Sequence, residues 1–447
     1  MLIRVALSIA GSDSGGGAGI QADIKTFAAL GVYPCTVITA ITAQNTSKVV
    51  HVLPIHPDSI RKQIESVISD IPVHAIKVGM VYNKKTLSVV AGFLKKLHIP
   101  IILDPILAAG TGKNLLLKIY LEEFKSELIP LSDVITPNVR EAEELSGIKI
   151  KSESDIIRCA GIIKDLGAKS VIIKGGHFNA KNYVVDTLVD NEGKISKISS
   201  PRISLNQTHG SGCNFSSAVT AFIARNYSTV QSFMMANKYV QESMDKLINL
   251  GKGIPVNAPL FSLYDDAWRY RTVLALETSL EDLLEVRGFR DLIPETQTNF
   301  VYALPFASNG SHVAGVDGRI VRSSKGFKAS GTIRFGSSKH VASAVISYMR
   351  HNPLIRSAVN IRFGKKLIDT CKSFYPTAEY RRADEPLKFK HIEGRTISWG
   401  VSEALSENPR AEIIYHTGDI SKEAMILIFG HNPSEVIKKV KQIIKLS

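Results

Sequence analysis

Up to about residue 250 the chain alternates two kinds of apolar pattern, and this alternation constrains its fold more than any other feature. Short continuous apolar runs recur at Val5–Ala10, Pro34–Ile41, Ala75–Val78, Ile99–Leu103, Val134–Ile135 and Ser170–Ile173. Between them lie stretches with helical spacing, such as Ala22–Leu30, Pro57–Ser69, Lys84–Leu97 and Ile156–Leu166. A strand that is apolar throughout must be covered on both faces, which calls for helices above and below a largely parallel sheet. In such a sheet ligands bind beyond the carboxyl ends of the strands, so the loops that follow strands are the place to look for chemistry.

The Gly/Pro-bearing stretch Asn249–Pro259 follows a long helical pattern and reads as a linker; a new helical pattern starts near Asp265. The expected division is a first domain over 1–255 and a second, smaller α/β domain over 265–447. With 447 residues, 44% of them apolar, the chain can fill two cores. Four cysteines (Cys35, Cys159, Cys213 and Cys371) stand far apart with no CxxC pair, which fits reduced thiols in a cytoplasmic protein. Val5–Ala10 after Arg4 is too short for a secretory signal and runs into a Gly-rich loop. No apolar run approaches the roughly 18 residues of a membrane span.

The net charge of +14 is unevenly placed. Residues 1–264 hold 28 Lys/Arg against 21 Asp/Glu, whereas residues 301–366 hold 11 basic groups against one acid, Asp317. Such clustering implies an anionic partner, either phosphates on a small molecule or RNA. No RNA-binding motif or interleaved aromatic platform accompanies the cluster, so small phosphorylated molecules are the expected partners and nucleic acid is not. Lysine enrichment of a heat-adapted protein would explain a general excess but not its clustering.

Two Gly-rich loops stand out. Gly11-Ser-Asp-Ser-Gly-Gly-Gly-Ala-Gly-Ile-Gln21 follows the first strand and opens a helix, so its glycines would let backbone N–H groups approach a ligand. It is neither a Walker loop nor a GxGxxG fingerprint, and a structural turn explains it about as well. Thr208-His-Gly-Ser-Gly-Cys213 leads into a helical pattern over Asn214–Arg225. Gly210, Ser211 and Gly212 would present free N–H groups to a transferring phosphoryl group as an anion hole. The same helix start is expected to depress the pKa of the Cys213 thiol and make it a catalytic base; a small Cys packed in a tight helix start is the plainer alternative.

Ser8–Asp23, Thr42–Thr46, Lys77-Val-Gly-Met80, Asp104-Pro105, Thr136–Glu141, Lys174-Gly-Gly-His177 and His209–Cys213 resemble, in order, the hydroxymethylpyrimidine/phosphomethylpyrimidine kinases of thiamine biosynthesis. The resemblance spans roughly residues 1–250 and implies a ribokinase-like fold, ATP and Mg²⁺ as cofactors and an aminopyrimidine substrate. Most members of that superfamily have an Asp where Cys213 stands. The resemblance assigns Gly11, Asp23, Gln44 and Met80 to the substrate: Gln44 can donate to and accept from the ring edge, Asp23 would hold its polar groups, and Met80 is a soft wall. Asn138 and Glu141 would sit near Mg²⁺ and the phosphates, with no protein cluster binding metal directly, and Lys174 on the nucleotide side. Asp23 as a surface acid and Met80 as a core filler are the bland readings. Ser211 departs from the family's usual Thr but keeps its N–H. A sugar or vitamin kinase of the same superfamily is the rival for this half.

In the second half, Gly288–Asn299, Gly318–Arg322, Arg334–His340 and Arg356–Arg362 resemble the ThiN-type thiamine-phosphate synthase domain. That resemblance implies coupling of the pyrimidine diphosphate to thiazole phosphate with release of pyrophosphate, and a homo-oligomer by family analogy. Arg319 and His340 are the catalytic candidates, with Arg322, Arg334, Asn360 and Arg362 as pyrophosphate-site candidates; Arg forks suit phosphate oxygens. Gly331–Ser338 ahead of a helix over Lys339–Arg350 looks like an anion-binding helix start. Taken singly, these arginines also fit solvated surface groups. A non-catalytic domain that senses thiamine phosphate is the competing reading for this half.

Overall fold

The computed structural model describes residues 3–107, 120–175, 182–202, 210–244, 246–324, 326–386, 395–419 and 423–447. The motif residues His177, Thr208 and His209 lie outside them. The chain divides into two compact units, residues 1–264 and 265–447.

The first unit is built on a nine-stranded sheet in the order β3-β2-β1-β4-β5-β6-β7-β8-β9. Its strands are β1 (Arg4–Asp13), β2 (Val32–Gln44), β3 (Val49–Pro54), β4 (Ala75–Val78), β5 (Ile101–Leu103), β6 (Val134–Ile135), β7 (Ser170–Ile173), β8 (Tyr183–Val189) and β9 (Ile195–Pro201). From β2 through β7 every pairing is parallel, as the continuous apolar runs require; β3, β8 and β9 add antiparallel edges. The helices are α1 (Gly19–Ala29), α2 (Pro57–Ile68), α3 (Lys84–Leu94), α4 (Leu121–Glu127), α5 (Val139–Ser146), α6 (Glu153–Asp165), α7 (Ser211–Ala224) and α8 (Thr229–Met244).

Strand periodicity splits the core in two. Leu7, Ile9, Ile76, Val78, Ile101 and Leu103 pack against α2, α3, α5 and α6. Ala6, Ala75, Ile102 and Val134 face Phe27 of α1, Phe215 of α7 and Phe233 of α8. On this second face the alternation also places Ser8 of β1 beside Lys77 of β4, in direct register. The fold thus delivers a lysine to its own interior.

The stretch read as a linker is a packed part of the first unit. Gly253 N–H donates to Thr46 Oγ1 at 3.1 Å and Ile254 N–H to Thr46 O at 2.9 Å, tying it to the β2–β3 turn. Tyr239 Oη donates to Pro259 O at 2.6 Å. Its glycines serve close approach rather than flexibility, because a Cβ at Gly253 would collide with the Thr46 carbonyl.

The second unit is also α/β, but its sheet is antiparallel in all but one pairing. After α9 (Phe261–Leu284) come β10 (Phe300–Ala303), β11 (Val313–Val316), β12 (Ile320–Ser323), β13 (Gly326–Ala329), β14 (Ile333–Phe335), α10 (His340–His351), β15 (Ser357–Arg362), α11 (Lys365–Phe374), β16 (Thr377–Glu379), α12 (Arg395–Glu407), β17 (Ile413–His416), β18 (Met425–Gly430) and α13 (Pro433–Leu446). The seven-stranded sheet runs β14-β11-β10-β15-β18-β17-β16, and β12–β13 form a separate hairpin. One face buries Leu276, Leu283, Val436 and Val440 against Phe300, Val359 and Ile428. The other buries Val345, Val401 and Leu405 against Val301, Ala358 and Phe429.

Candidate active site of the first unit and polar cluster of the second

Beneath the carboxyl ends of the parallel strands lies a sealed polar knot. Asp23 of α1 and Lys77 of β4 are both 0% exposed and form an ion pair through Asp23 Oδ1. Ser217 Oγ donates to the same oxygen at 2.6 Å and Ser8 Oγ to Oδ2 at 2.6 Å. Lys77 Nζ also donates to the Cys213 carbonyl oxygen at 3.3 Å. Burial pulls the Lys77 pKa down, but Asp23, Cys213 and Asp104 outweigh it and hold the ammonium charged. Asp23, expected to reach a ring, is therefore walled in: its carboxylate is spent on Lys77 and two hydroxyls, and it supports the pocket floor.

Of the expected ring contacts, Gly11 and Met80 touch each other. The β1–β2 register slips between Ala10 and Ser12, where β2 sets two residues, Thr39 and Ala40, against the single Gly11. The Met80 thioether lies over Gly11 so closely that a Cβ there would strike its methyl carbon. Thr39 Oγ1 donates to Met80 O at 2.6 Å, and Ala40, Tyr82 and Ile106 pack around the Met80 side chain. Gln44 ends β2, where its N–H donates to Ser14 Oγ at 2.9 Å.

The Gly-rich loop after β1 does not offer its amides as its sequence suggests. Asp13, buried, accepts from Gly15 N–H at 2.8 Å, Gly17 N–H at 3.0 Å and Ala18 N–H at 2.8 Å. Lys25 Nζ caps the Gly16 carbonyl at 2.8 Å. The loop is pinned by its own aspartate, and its glycines allow close contact with α7. At Gly210, φ is +90° and a Cβ would collide with the Gly17 carbonyl.

The remaining candidates cluster at the ends of β5, β6 and β7. Asp104, just beyond β5, receives Lys174 Nζ at 3.3 Å, Ser216 Oγ at 3.0 Å and Thr136 Oγ1 at 3.4 Å. Asn138 and Glu141 cap α5 reciprocally: Asn138 N–H donates to Glu141 Oε2 at 2.8 Å and Glu141 N–H to Asn138 Oδ1 at 3.0 Å. Burial, reinforced by Asp104 and opposed by Lys174, pushes the Glu141 carboxyl up to about 7. A Cβ at Gly212 would stand 3.4 Å from Lys174 Nζ, so that ammonium hovers over the start of α7. Among the described residues no group of three His, Cys, Asp or Glu side chains is arranged to hold a metal unaided.

Cys213 is half-buried in the first turn of α7. Its thiol shifts opposite to the expected direction: burial pushes it up to about 11, against the downward pull of Lys77 and of the Gly19 N–H. Desolvation of a thiolate outweighs what the helix start gives back. The arrangement offers a cation, a helix start with small residues, two carboxylates and a thiol around one strand-end cleft, which suits transfer of a phosphoryl group. Sequence reasoning assigned no role to Lys77, Asp104, Ser216 or Asp13. The readable signals were a lysine inside the apolar run Ala75–Val78 and an aspartate closing the run Ile101–Leu103.

In the second unit the candidates are spread more widely. Arg319 has φ +72° in the turn after β11 and donates to the Thr296 carbonyl; Arg322 donates to the Ile293 carbonyl. Arg334 pairs with Asp317 at 3.4 Å, both exposed, a contact worth well under about 1 kcal/mol. Asn360, expected to face pyrophosphate, is buried: its Oδ1 accepts from Asn299 N–H at 2.7 Å and its Nδ2 donates to Gln297 O at 3.0 Å. Both ends of that amide are taken, so it braces the β10 start instead. Arg362 ends β15 exposed, and His340 opens α10, also exposed. Ser337 ahead of α10 donates to Gly315 O at 2.8 Å, turning its hydroxyl toward the sheet rather than toward an anion.

Residues 13–257 match the family profile for phosphomethylpyrimidine kinase, and residues 275–442 match that for thiamine-phosphate synthase ThiN. A hydroxymethylpyrimidine/phosphomethylpyrimidine kinase of Aquifex aeolicus is 42% identical over 253 residues, covering 56% of this chain and 98% of its own. Its counterpart in Bacillus subtilis is 42% identical over 254 residues, covering 57% and 93%. Among solved structures, the ADP complex of Bacillus subtilis pyridoxal kinase aligns with a TM-score of 0.54 at 34% identity, covering 58% of this chain and 99% of that one.

Two outcomes follow from these environments. Alkylation of Cys213 by iodoacetamide, followed by mass spectrometry, is expected to rise about tenfold per pH unit from pH 7 to 10 without a plateau. A plateau near pH 7 would mean a thiolate at rest. In the second unit, burial and Arg382 pull His416 from its ordinary 6.5 down to about 3, so folding holds it neutral. The unfolded chain takes up that proton first, so stability is expected to fall as pH drops from 6.5 toward 3, by up to about 1.4 kcal/mol per unit. Trp268 and Trp399, both in this unit, report its unfolding by fluorescence; His416→Gln should flatten the slope.

Proposed function

Because the chain belongs to the phosphomethylpyrimidine kinase family and carries a ThiN domain in its second half, we propose that it makes thiamine phosphate from a hydroxymethylpyrimidine in successive steps. The first unit transfers phosphoryl groups from ATP to 4-amino-5-hydroxymethyl-2-methylpyrimidine and then to its monophosphate. The second unit joins the diphosphate to thiazole phosphate and releases pyrophosphate.

The observation that carries the kinase half is the Lys174 ammonium poised between Asp104 and the Gly212 backbone, one residue from Cys213. Gln44 and Met80 bracket the ring so that its hydroxymethyl oxygen points toward α7. That oxygen bonds to the γ-phosphorus as the bond to ADP breaks, and its proton passes to the Cys213 sulfur in the minor thiolate form, reached once the thiol has given its own proton to solvent. Lys77, which lowers the thiol pKa against burial, keeps the thiolate within reach. Gly210, Ser211 and Gly212 with Lys174 meet charge on the moving phosphoryl group. The buried Glu141 carboxyl, raised to about 7, and Asp104 suit a divalent cation, and Mg²⁺ there would neutralise the phosphates.

In the second unit the thiazole nitrogen is already a nucleophile and the aminopyrimidine can stabilise a methylene cation. The protein chiefly has to hold both rings and stabilise departing pyrophosphate, work we assign to Arg319, His340, Arg322, Arg334 and Arg362.

Supplying the hydroxymethylpyrimidine, thiazole phosphate and Mg-ATP together tests both halves. Wild type is expected to form thiamine phosphate, Cys213→Ala to lose at least about a hundredfold in the first phosphorylation, and Arg319→Ala and His340→Ala to stop at the diphosphate. Accumulation of diphosphate by the wild type would make the second unit a sensor. Preference for pyridoxal or a sugar would overturn the kinase assignment.

A further inference from the structure

The register of the second sheet gathers one set of strand ends. His416 at the end of β17 pairs with Met425 of β18, which pairs with Arg362 at the end of β15. Tyr380 follows β16 and bonds through its N–H to Tyr415 O at 3.1 Å, which puts it beside His416. Further along, Asn360 holds Gln297 and Arg319 holds Thr296, both just ahead of β10. Tyr380, His416, Arg362 and Arg319 therefore share one end of the sheet.

At the β16 corner of that end, three polar atoms are buried with no hydrogen bond of full geometry among the described residues: Tyr380 Oη, Arg382 Nε and Glu385 Oε1, with the Arg382 side chain beside the Tyr380 hydroxyl and pulling its pKa down against burial. Tyr380 is 2% exposed and Glu385 is 7% exposed. The tyrosine ring cannot turn to find a partner. It lies edge-on to Trp399 at 6.2 Å, packs on the His416 ring at 5.1 Å, and sits so close to Gly400 that a Cβ there would overlap it. His416 is fixed as well, since its Nδ1 accepts from Gly418 N–H at 3.2 Å. A buried polar atom left unpaired carries its full desolvation cost, and three within six residues call for an explanation beyond folding. Together they offer an acceptor at Glu385, a donor at Arg382 and a hydroxyl able to do either. An aminopyrimidine presents the complement, an amine that donates beside a ring nitrogen that accepts.

We propose that Tyr380, Arg382 and Glu385 form the ring-binding subsite of the second unit, taking a 4-aminopyrimidine by its amine and adjacent ring nitrogen. The diphosphate then extends along the same strand ends toward Arg362 and Arg319. Three strand spacings separate the β16 corner from β15, roughly 14 Å, a span that a ring, a diphosphate and an extended arginine can bridge. This assignment rests on the synthase reading above and names where its first substrate sits.

The test uses the full chain supplied with the pyrimidine diphosphate directly, which bypasses the kinase step. Tyr380→Phe and Glu385→Gln are each expected to raise the KM for the diphosphate about tenfold, leaving the KM for thiazole phosphate and the kinase kcat/KM unchanged. Tyr380→Phe should also hold or raise the melting temperature of the ligand-free chain, because it removes an unpaired buried hydroxyl; a purely structural tyrosine would lower it. An unchanged diphosphate KM in both variants, or a rise in the thiazole phosphate KM instead, overturns the proposal. If wild type forms no thiamine phosphate, the synthase reading fails on its own. The subsite is then read by calorimetric titration with thiamine phosphate: binding by wild type that is lost in both variants supports it, and equal binding or none overturns it.

Discussion

The first unit depends on one buried ion pair. Asp23 and Lys77 belong to α1 and β4, and Ser8 and Ser217 complete the knot from β1 and α7. Two charges without water are tolerable only if paired and fully hydrogen-bonded, and removing one partner of such a pair costs about 3–5 kcal/mol. Four elements are thereby locked in one arrangement. Because Lys77 also holds the Cys213 carbonyl, the start of α7 is fixed by the same knot. The strand ends, the thiol and the Gly210–Gly212 turn inherit their positions from a contact that meets no solvent.

From that floor the site is assembled by topology. Parallel strands β1, β4, β5, β6 and β7 all end on one side, and each contributes a group there: Gly11, Met80, Asp104, Asn138 and Lys174 follow or close successive strands. Crowding carboxylates at these ends has an electrostatic consequence. Asp104 and burial together raise Glu141 to about 7, while Lys174 holds the balance from the other side. A cleft so poised gains from any ligand that brings cations to the carboxylates and anions to the lysine, as a metal–nucleotide does.

Much of this was legible in the sequence, for physical reasons. A central parallel strand must be apolar on both faces, so β1, β2, β4, β5, β6 and β7 announce themselves as continuous runs. The edges do not: β9, Ile195–Pro201, alternates exposed with half-buried or buried residues and forms no continuous apolar run, and β3 is mostly exposed. Side-chain orientation was harder than element type. Asp23 and Gln44 were both assigned to the substrate, yet α1 turns Asp23 into the core while β2 carries Gln44 to the rim. Local spacing cannot distinguish the two. The Cys213 thiol illustrates competing terms, since the helix start visible in the sequence is outweighed by burial visible only in three dimensions. In the second unit the basic residues were countable, but Tyr380, Arg382 and Glu385 carry no periodic signal. Their kinship comes from the β16–β17 pairing and from what their atoms lack.

The Asp23–Lys77 pair holds the kinase site from below. A double-mutant cycle with Asp23→Leu and Lys77→Met, read by urea unfolding and by aminopyrimidine phosphorylation, tests it most directly. Each single change is expected to destabilise the first unit and slow the kinase, and the double mutant to be more stable than the two effects summed, by about 1–3 kcal/mol. Additive destabilisation, or a kinase rate untouched by Lys77→Met, would contradict it.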